Sequence, residues 1–368
     1  MTAQESPLRH EDYTIACICP MGVEQAPVEA MLDETHCSLP IRHGMGSYTL
    51  GRMSKHKLVI AILSTTGTIG ATAGAVQLLN DFPSTRLIIV VGIAGGIPDL
   101  ARGIDLRLGD VVVSRPTGLC PGVVQFDRGK ALSNGRLERA GTLHRPPDIL
   151  LAAAAKLEAR HQREGSEIPQ HITAMHRKYP KMHQGNYIHQ GAANDTLFLA
   201  DFHHRSRTDC RDCDPGQAVQ RVPRADDTPV VHYGTIGSSN VVVKDGRTRD
   251  QLRDELDIQC VEMEAAGVMH VFPCLVVRGI CDYADSHKNK RWQPYAAAVA
   301  AGYMKELLSM IPLDTWVENE GVDSSEGRGA MVADAGETDS ARDVVGLRQW
   351  VMVCLIVTLI VYTFSGFR

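Results

Sequence analysis

The stretch Val276-Val277-Arg278-Gly279-Ile280-Cys281-Asp282-Tyr283-Ala284-Asp285-Ser286-His287-Lys288-Asn289-Lys290 decides how the chain reads. Its first part is apolar and β-branched. It stops at a carboxylate, Asp282, and a polar loop follows. An α/β enzyme presents an acid in this way, at the carboxyl end of a buried strand beside its ligand crevice. Just upstream, Cys260-Val261-Glu262-Met263-Glu264-Ala265-Ala266-Gly267 sets two more carboxylates at the mouth of a predicted helix.

Working outward, four more segments end or begin predicted strands. Met21-Gly22-Val23-Glu24 follows an apolar strand over 13–19, and Ser64-Thr65-Thr66-Gly67-Thr68-Ile69-Gly70 follows one over 58–63. Val91-Gly92-Ile93-Ala94-Gly95-Gly96 closes a strand over 87–91, and Leu108-Gly109-Asp110-Val111-Val112-Val113-Ser114 is the next strand. In this order the motifs resemble the purine and uridine phosphorylase superfamily, whose members cleave the bond between a base and ribose. The resemblance spans roughly residues 12–312. It is nearest to the nucleoside-phosphorylase-like domains of fungal proteins, often joined to NTPase and repeat modules. Phe126-Asp127-Arg128-Gly129-Lys130, His232-Tyr233-Gly234 and the 282–290 loop carry that part of the likeness. It implies an α/β fold of three layers, a central mixed twisted sheet flanked by helices.

The composition is that of a globular protein: 368 residues, 44% hydrophobic, net charge −5 and pI near 6.3, so no broad basic surface for nucleic acid is implied. Ten cysteines are scattered, several of them in apolar runs, which reads as a reduced interior in a cytosolic compartment. Residues 1–11 are polar and flexible, without the apolar core of a signal peptide.

Helices are predicted over 27–35, 70–80, 149–160, 251–256, 265–272 and 292–310 from apolar spacing. Residues 161–229 lose periodicity and read as an irregular insert of loops and short helices within one catalytic domain, 12–312. Residues 313–347 are rich in glycine, serine and acids and read as a disordered linker. Residues 348–367 contain an uncharged apolar run flanked by Arg348 and Arg368, a transmembrane helix candidate that would tether the domain to a cytosol-facing membrane.

Breaking an N-glycosidic bond requires a proton for the leaving base and a nucleophile for the sugar, which becomes oxocarbenium-like. Asp282 is the candidate general acid, and the resemblance puts the family's catalytic aspartate there. Glu264 is the candidate ribose clamp, since one carboxylate can accept from two vicinal hydroxyls. Met263 would form an apolar floor, Glu262 would support the site, and Thr66 and Gly67 would add hydroxyl and amide contacts to the ribose. In the family's nucleosidase branch, a glutamate three residues after a methionine at this strand end activates water, and Glu24 after Met21 has that spacing. Phosphorylases usually carry an arginine just before the glycine turn, where this chain has Val90. Gly237-Ser238-Ser239-Asn240-Val241-Val242-Val243-Lys244 resembles the base-binding strand, with Asn240, Val242, Val243 and Gly95 around the purine. Related nucleosidases often carry an aromatic where Val242 stands.

Arg221, Arg224 and Lys288 are candidates for nucleotide phosphates. Cys210-Arg211-Asp212-Cys213, near His203 and His204, could be half of a zinc site. A single CxxC is weak support, it reads as an irregular loop, and no metal or other cofactor is assigned. The expected activity is hydrolysis of adenosine or an adenine nucleotide, ATP included, to free base and sugar moiety. The alternatives are phosphorolysis and a silent membrane-tethered nucleoside sensor. The expected partners are the small-molecule purine substrate, the membrane and further copies of the chain in a homo-oligomer.

Overall fold

The computed structural model describes residues 7–40, 47–131, 133, 137–204 and 210–313. The linker and the 348–367 run lie outside the described residues. Among those described, no helix is long and apolar enough to cross a membrane.

The chain runs β1 (Ile15–Cys19), α1 (Gly22–Ala30), β2 (Glu34–Thr35), β3 (Tyr48–Met53), β4 (His56–Ile62), α2 (Thr68–Asp81), β5 (Leu87–Gly96), β6 (Val111–Ser114) and β7 (Val123–Gln125). A small hairpin, β8 (Gly129–Ala131) and β9 (Leu137–Arg139), follows, then α3 (Asp148–Glu164), α4 (Ile168–Lys178) and α5 (Pro180–Gln184). The last part is β10 (Val231–Ser238), α6 (Gly246–Leu256), β11 (Ile258–Glu262), α7 (Ala265–Met269), β12 (Cys274–Asp282) and α8 (Gln293–Met310). The sheet order is β11-β10-β6-β12-β5-β1-β4-β3-β2, and β11 also pairs with β5. It is mixed: β1 is parallel to β4 and β5, β5 to β12, whereas β12–β6 and β3–β4 are antiparallel.

β5 and β12 are buried at every position, as continuous Val/Ile/Leu runs demand when both sheet faces are covered. One face holds Ile18, Val59, Ile88, Val90, Val276 and Ile280 in a core with Ala71, Ala75 and Leu78 of α2 and Val268 and Met269 of α7. α8 packs on β5 and β12.

β5 does not stop at Val91. Its glycines continue as strand, and Gly95 and Gly96 pair with Val261 and Cys260 of β11. Glycine signals a turn from local preference alone; here the close approach of a crossing strand uses it instead. The first helix also starts earlier than its apolar spacing suggests, at Gly22 rather than residue 27. Glu24 Oε2 accepts from the Met21 amide at 2.7 Å and closes the first turn. Pro27 lies inside α1 and brings no N–H for the Val23 carbonyl. The Tyr187 hydroxyl donates to that carbonyl at 3.3 Å.

The insert is more ordered than its composition implies. α3 extends to Glu164, and α4 buries Ile168, Ile172 and Met175, one face of a helix, against α8. Burial at roughly 1.5–3 kcal/mol for each such side chain is enough to hold a helix that is otherwise polar.

Asp110 fastens the insert's far end. It is 1% exposed. It accepts from Arg224 Nη1 and Nη2 at 2.6 and 2.7 Å and from the Arg107 and Val230 amides, and it pairs with His232 at 3.0 Å. Burial alone would raise its carboxyl, but Arg224 and His232 overcome that and lower it from 3.8. A lowered carboxyl contributes stability that is complete above its unfolded value and lost as pH falls through the folded one. Asp110→Asn should therefore cost about 3–5 kcal/mol at neutral pH, the usual result of breaking a buried ion pair. In urea melts at a series of pH values, the gap to wild type should close below about pH 3.8.

Candidate active site

Three carboxylates converge on one guanidinium. Arg278 lies in the middle of β12, fully buried, opposite Gly92 of β5. Its Nη2 donates to Glu262 Oε2 and lies 3.5 Å from Glu264 Oε2, while Nη1 lies 3.7 Å from Glu24 Oε1. Glu24 comes from the first turn of α1, Glu262 from the end of β11 and Glu264 from the residue that caps α7. Gly92 makes the meeting geometrically feasible: a Cβ there would collide with both Arg278 Nη1 and Glu24 Oε1.

Each glutamate is also held by backbone amides. Glu24 takes the Met21 amide on one oxygen and the Ile93 amide, at 2.8 Å, on the other. Glu262 accepts from the Glu264 and Ala265 amides at 3.0 and 2.9 Å, so it serves as both helix cap and counter-ion. Glu264 accepts from the Gly67 amide at 3.1 Å. Gly67 has φ +94°, which favours glycine. Burial pushes the Glu24 carboxyl up to about 8, against the pull of Arg278 and the two amides. Burial likewise raises Glu264, with Arg278 opposing and Glu262 adding. Arg278 stays charged, because the three carboxylates outweigh its loss of solvent.

Asp282 ends β12. The register passes from Ile280–Ala94 to Asp282–Gly95, so Cys281 is the extra residue of a bulge, a device that re-aims the side chain after it. Its Oδ1 accepts from the Ala284 amide at 3.0 Å, and its Oδ2 accepts from Lys288 Nζ at 2.6 Å. Ala284 sits at φ +52°, a strained conformation for a residue with a Cβ.

The structure thus brings together Glu24, Glu262, Glu264 and Gly67, with Met263 half-buried between the two glutamates and Thr66 exposed on the neighbouring loop. Gly95 lies beside Asp282, and Gly92 and Ile93 of the same strand reach Glu24. The base-binding segment is different from the expectation. β10 ends at Ser238, and the following residues form a loop. That loop is tied down by Asn240, which donates from its backbone and side chain to Asp127 at 2.8 and 3.1 Å. Asn240 Oδ1 also accepts from the Thr68 amide and hydroxyl. Val242 is 46% exposed, while Val243 packs with Ile97, Ile258 and Val261.

The three basic candidates for phosphate are engaged internally. Arg224 holds Asp110. Arg221 donates to the Tyr283 hydroxyl and the Asp195 carbonyl, each at 2.8 Å. Lys288 holds Asp282.

Sequence reasoning gave Arg278 no role. The signal was there: an arginine in a run otherwise fit for a buried strand must find carboxylates, and Glu24, Glu262 and Glu264 were already singled out.

The phosphorylase superfamily model matches residues 14–189. Over 307 residues, 83% of this chain, the sequence is 39% identical to a nucleotide-binding leucine-rich repeat (NLR)-like protein of Hyaloscypha variabilis, of which it covers 30%. Residues 14–189 belong to the phosphorylase superfamily. The chain is also 23% identical over 259 residues to the ATP nucleosidase Cap17 of Escherichia coli, 66% of this chain and 39% of that protein. It therefore spans roughly a third of the length of these relatives. Among solved structures, the futalosine hydrolase of Helicobacter pylori superposes with a TM-score of 0.52 at 17% identity, covering 82% of this chain and 99% of that one. This likeness is one of fold: a mixed sheet flanked by helices.

The raised Glu24 carboxyl has a testable sign. A carboxyl whose folded value is above its unfolded one contributes stability that is complete below the unfolded value, 4.5, and lost as pH rises through about 8. Wild-type stability relative to Glu24→Gln should therefore fall between pH 5 and 8, by at most about 1.4 kcal/mol per unit. Denaturant melts of both proteins across that window measure it. A pH-independent difference would show that Glu24 is not a proton-holding group.

Proposed function

We propose that this domain is a purine nucleosidase, hydrolysing the N-glycosidic bond of adenosine or an adenine nucleotide to free base and sugar. The observation that carries the reading is Glu24. It is buried, both of its oxygens are fixed by amides, and its carboxyl is poised near neutral pH, where a general base exchanges a proton most effectively. The neighbouring cation, Arg278, faces three carboxylates, so the cluster favours a neutral water over a phosphate dianion. Val90, where the family's phosphorylases carry an arginine, points the same way. The name of the Escherichia coli relative brings ATP within the range of substrates.

In this mechanism Glu264 accepts from the ribose 2′ and 3′ hydroxyls and fixes the sugar. Water attacks C1′ and gives its proton to Glu24. The C1′–N9 bond breaks, and the base takes a proton at N7 from the Asp282 side. Lys288, whose ammonium is bonded to Asp282 Oδ2, stabilises the carboxylate that the transfer leaves, and the proton that Glu24 took from water returns to Asp282 through solvent before the next turnover. Glu24 and Glu264 are 1% and 6% exposed; the Gly67 amide holds Glu264, and Thr68 next to it is bonded to Asn240.

Base release should proceed in phosphate-free buffer. Asp282→Asn should lower turnover by a factor on the order of 10² to 10⁴, the usual size of a general-acid contribution. Strict phosphate dependence, with ribose 1-phosphate as the product, would make the domain a phosphorylase.

A second prediction separates the clamp from the chemistry. Glu264→Gln should cost more on ribosides than on 2′-deoxyribosides, because its partners are the vicinal hydroxyls. Kinetics on adenosine and 2′-deoxyadenosine read this out, and equal losses would remove Glu264 from the sugar.

A further inference from the structure

The insert's Cys210-Arg211-Asp212-Cys213 segment is absorbed by none of this chemistry. In the fold it meets His204: one ligand atom from each of His204, Cys210 and Cys213 lies within 4.8 Å of the others, and all three residues are half-buried. A tetrahedral zinc ion with Zn–S near 2.3 Å and Zn–N near 2.0 Å needs its donors about 3.3–3.8 Å apart. Closing the cluster by about an ångström meets that spacing. Cys213 already turns back on Cys210 through its amide, at 3.1 Å from the Cys210 carbonyl, the tight geometry by which a CxxC segment aims both sulfurs one way.

A second observation comes from the other side of the cleft. His287 is 8% exposed, and neither of its ring nitrogens has a hydrogen-bond partner. A buried imidazole left in that state carries a desolvation cost that a native fold normally offsets. Its ring lies edge-to-face with that of His204, centroids 5.1 Å apart. Phe198 stacks on it at 4.0 Å and shields it from solvent. Asp285 Oδ1 stands 3.5 Å from its Nδ1, the place taken by the carboxylate that orients a metal-bound histidine through its other nitrogen.

We propose that His204, Cys210 and Cys213 bind a zinc ion that His287 completes as the fourth ligand. The two-thiolate, two-imidazole donor set selects zinc over the oxygen-seeking magnesium and calcium. Four protein ligands leave no open position, so the ion is structural rather than catalytic. Its effect is to fasten the insert to the loop that follows β12. The His204 amide already donates to Ser286 Oγ at 2.9 Å, and the next residues are His287 and Lys288, the partner of Asp282. Cys210, Cys213, His287 and Asp282 border one cavity of about 680 Å³. Zinc would hold its wall, and hold Lys288 on the acid.

The test uses the full chain purified without chelator. Elemental analysis should find close to one zinc per chain, and Cys210→Ser/Cys213→Ser should lose it. Cobalt titration of metal-stripped protein should give thiolate charge-transfer bands and the visible spectrum of a tetrahedral site. Those bands should be absent in the double variant. His287→Gln should weaken zinc binding at least about tenfold, since it removes one of four ligands. Both thiols should react with a disulfide reagent only after chelation. Wild-type protein that takes up less than about a tenth of an equivalent of zinc and gives no cobalt spectrum overturns the site, whatever the variants do. Unchanged zinc affinity in His287→Gln overturns the assignment of the fourth ligand.

Discussion

The ion cluster around Arg278 is the constraint on which the rest of the molecule depends. A guanidinium placed inside a fully buried strand is unfavourable by several kcal/mol unless carboxylates accompany it. The fold supplies three, from the helix after β1, from the end of β11 and from the residue that caps α7. Glu24 is far in sequence from the adjacent pair Glu262 and Glu264, and the three can meet only when β1, β5, β11 and β12 are in register. The same charge that the core must neutralise therefore gathers the groups that the chemistry needs. Gly92 is the geometric condition for the meeting, because no side chain fits between Arg278 and Glu24.

Burial then sets the protonation of the cluster. Loss of solvent raises the Glu24 carboxyl to about 8 against the pull of Arg278, and the nearby Glu264 adds a smaller push in the same direction. Asp282 lies in a different environment, paired with Lys288 and re-aimed by the bulge at Cys281. Two acids, one in the first turn of α1 and one at the end of β12, thus sit in different environments, and the proposed mechanism gives one the proton of the water and has the other pass a proton to the base.

Much of the architecture could be read from the sequence because buried parallel strands are continuous apolar runs and their ends are marked by carboxylates. Glu24, Glu264 and Asp282 were found at strand ends for that reason. The errors have the same physical origin elsewhere. Gly95 and Gly96 were expected to allow close backbone passage, and they do; that the strand runs on through them was missed, because local preference cannot see β11 crossing them. Asn240 to Val243 looked like strand because their composition is β-like, while the bonds from Asn240 to Asp127 and Thr68 that end the strand are long-range. α4 was hidden because only Ile168, Ile172 and Met175 carry its apolar face. Arg278 was passed over because a single charged residue in an apolar run has no meaning until its partners are known.

A crystal structure with a non-hydrolysable carbocyclic adenosine tests the central claim most directly. The account predicts the 2′ and 3′ hydroxyls on Glu264, a water between Glu24 and the anomeric position, and the purine N7 facing Asp282. An analogue seated in the cavity beside Cys210 and Arg211, with Glu24 and Glu264 still closed on Arg278, would contradict it.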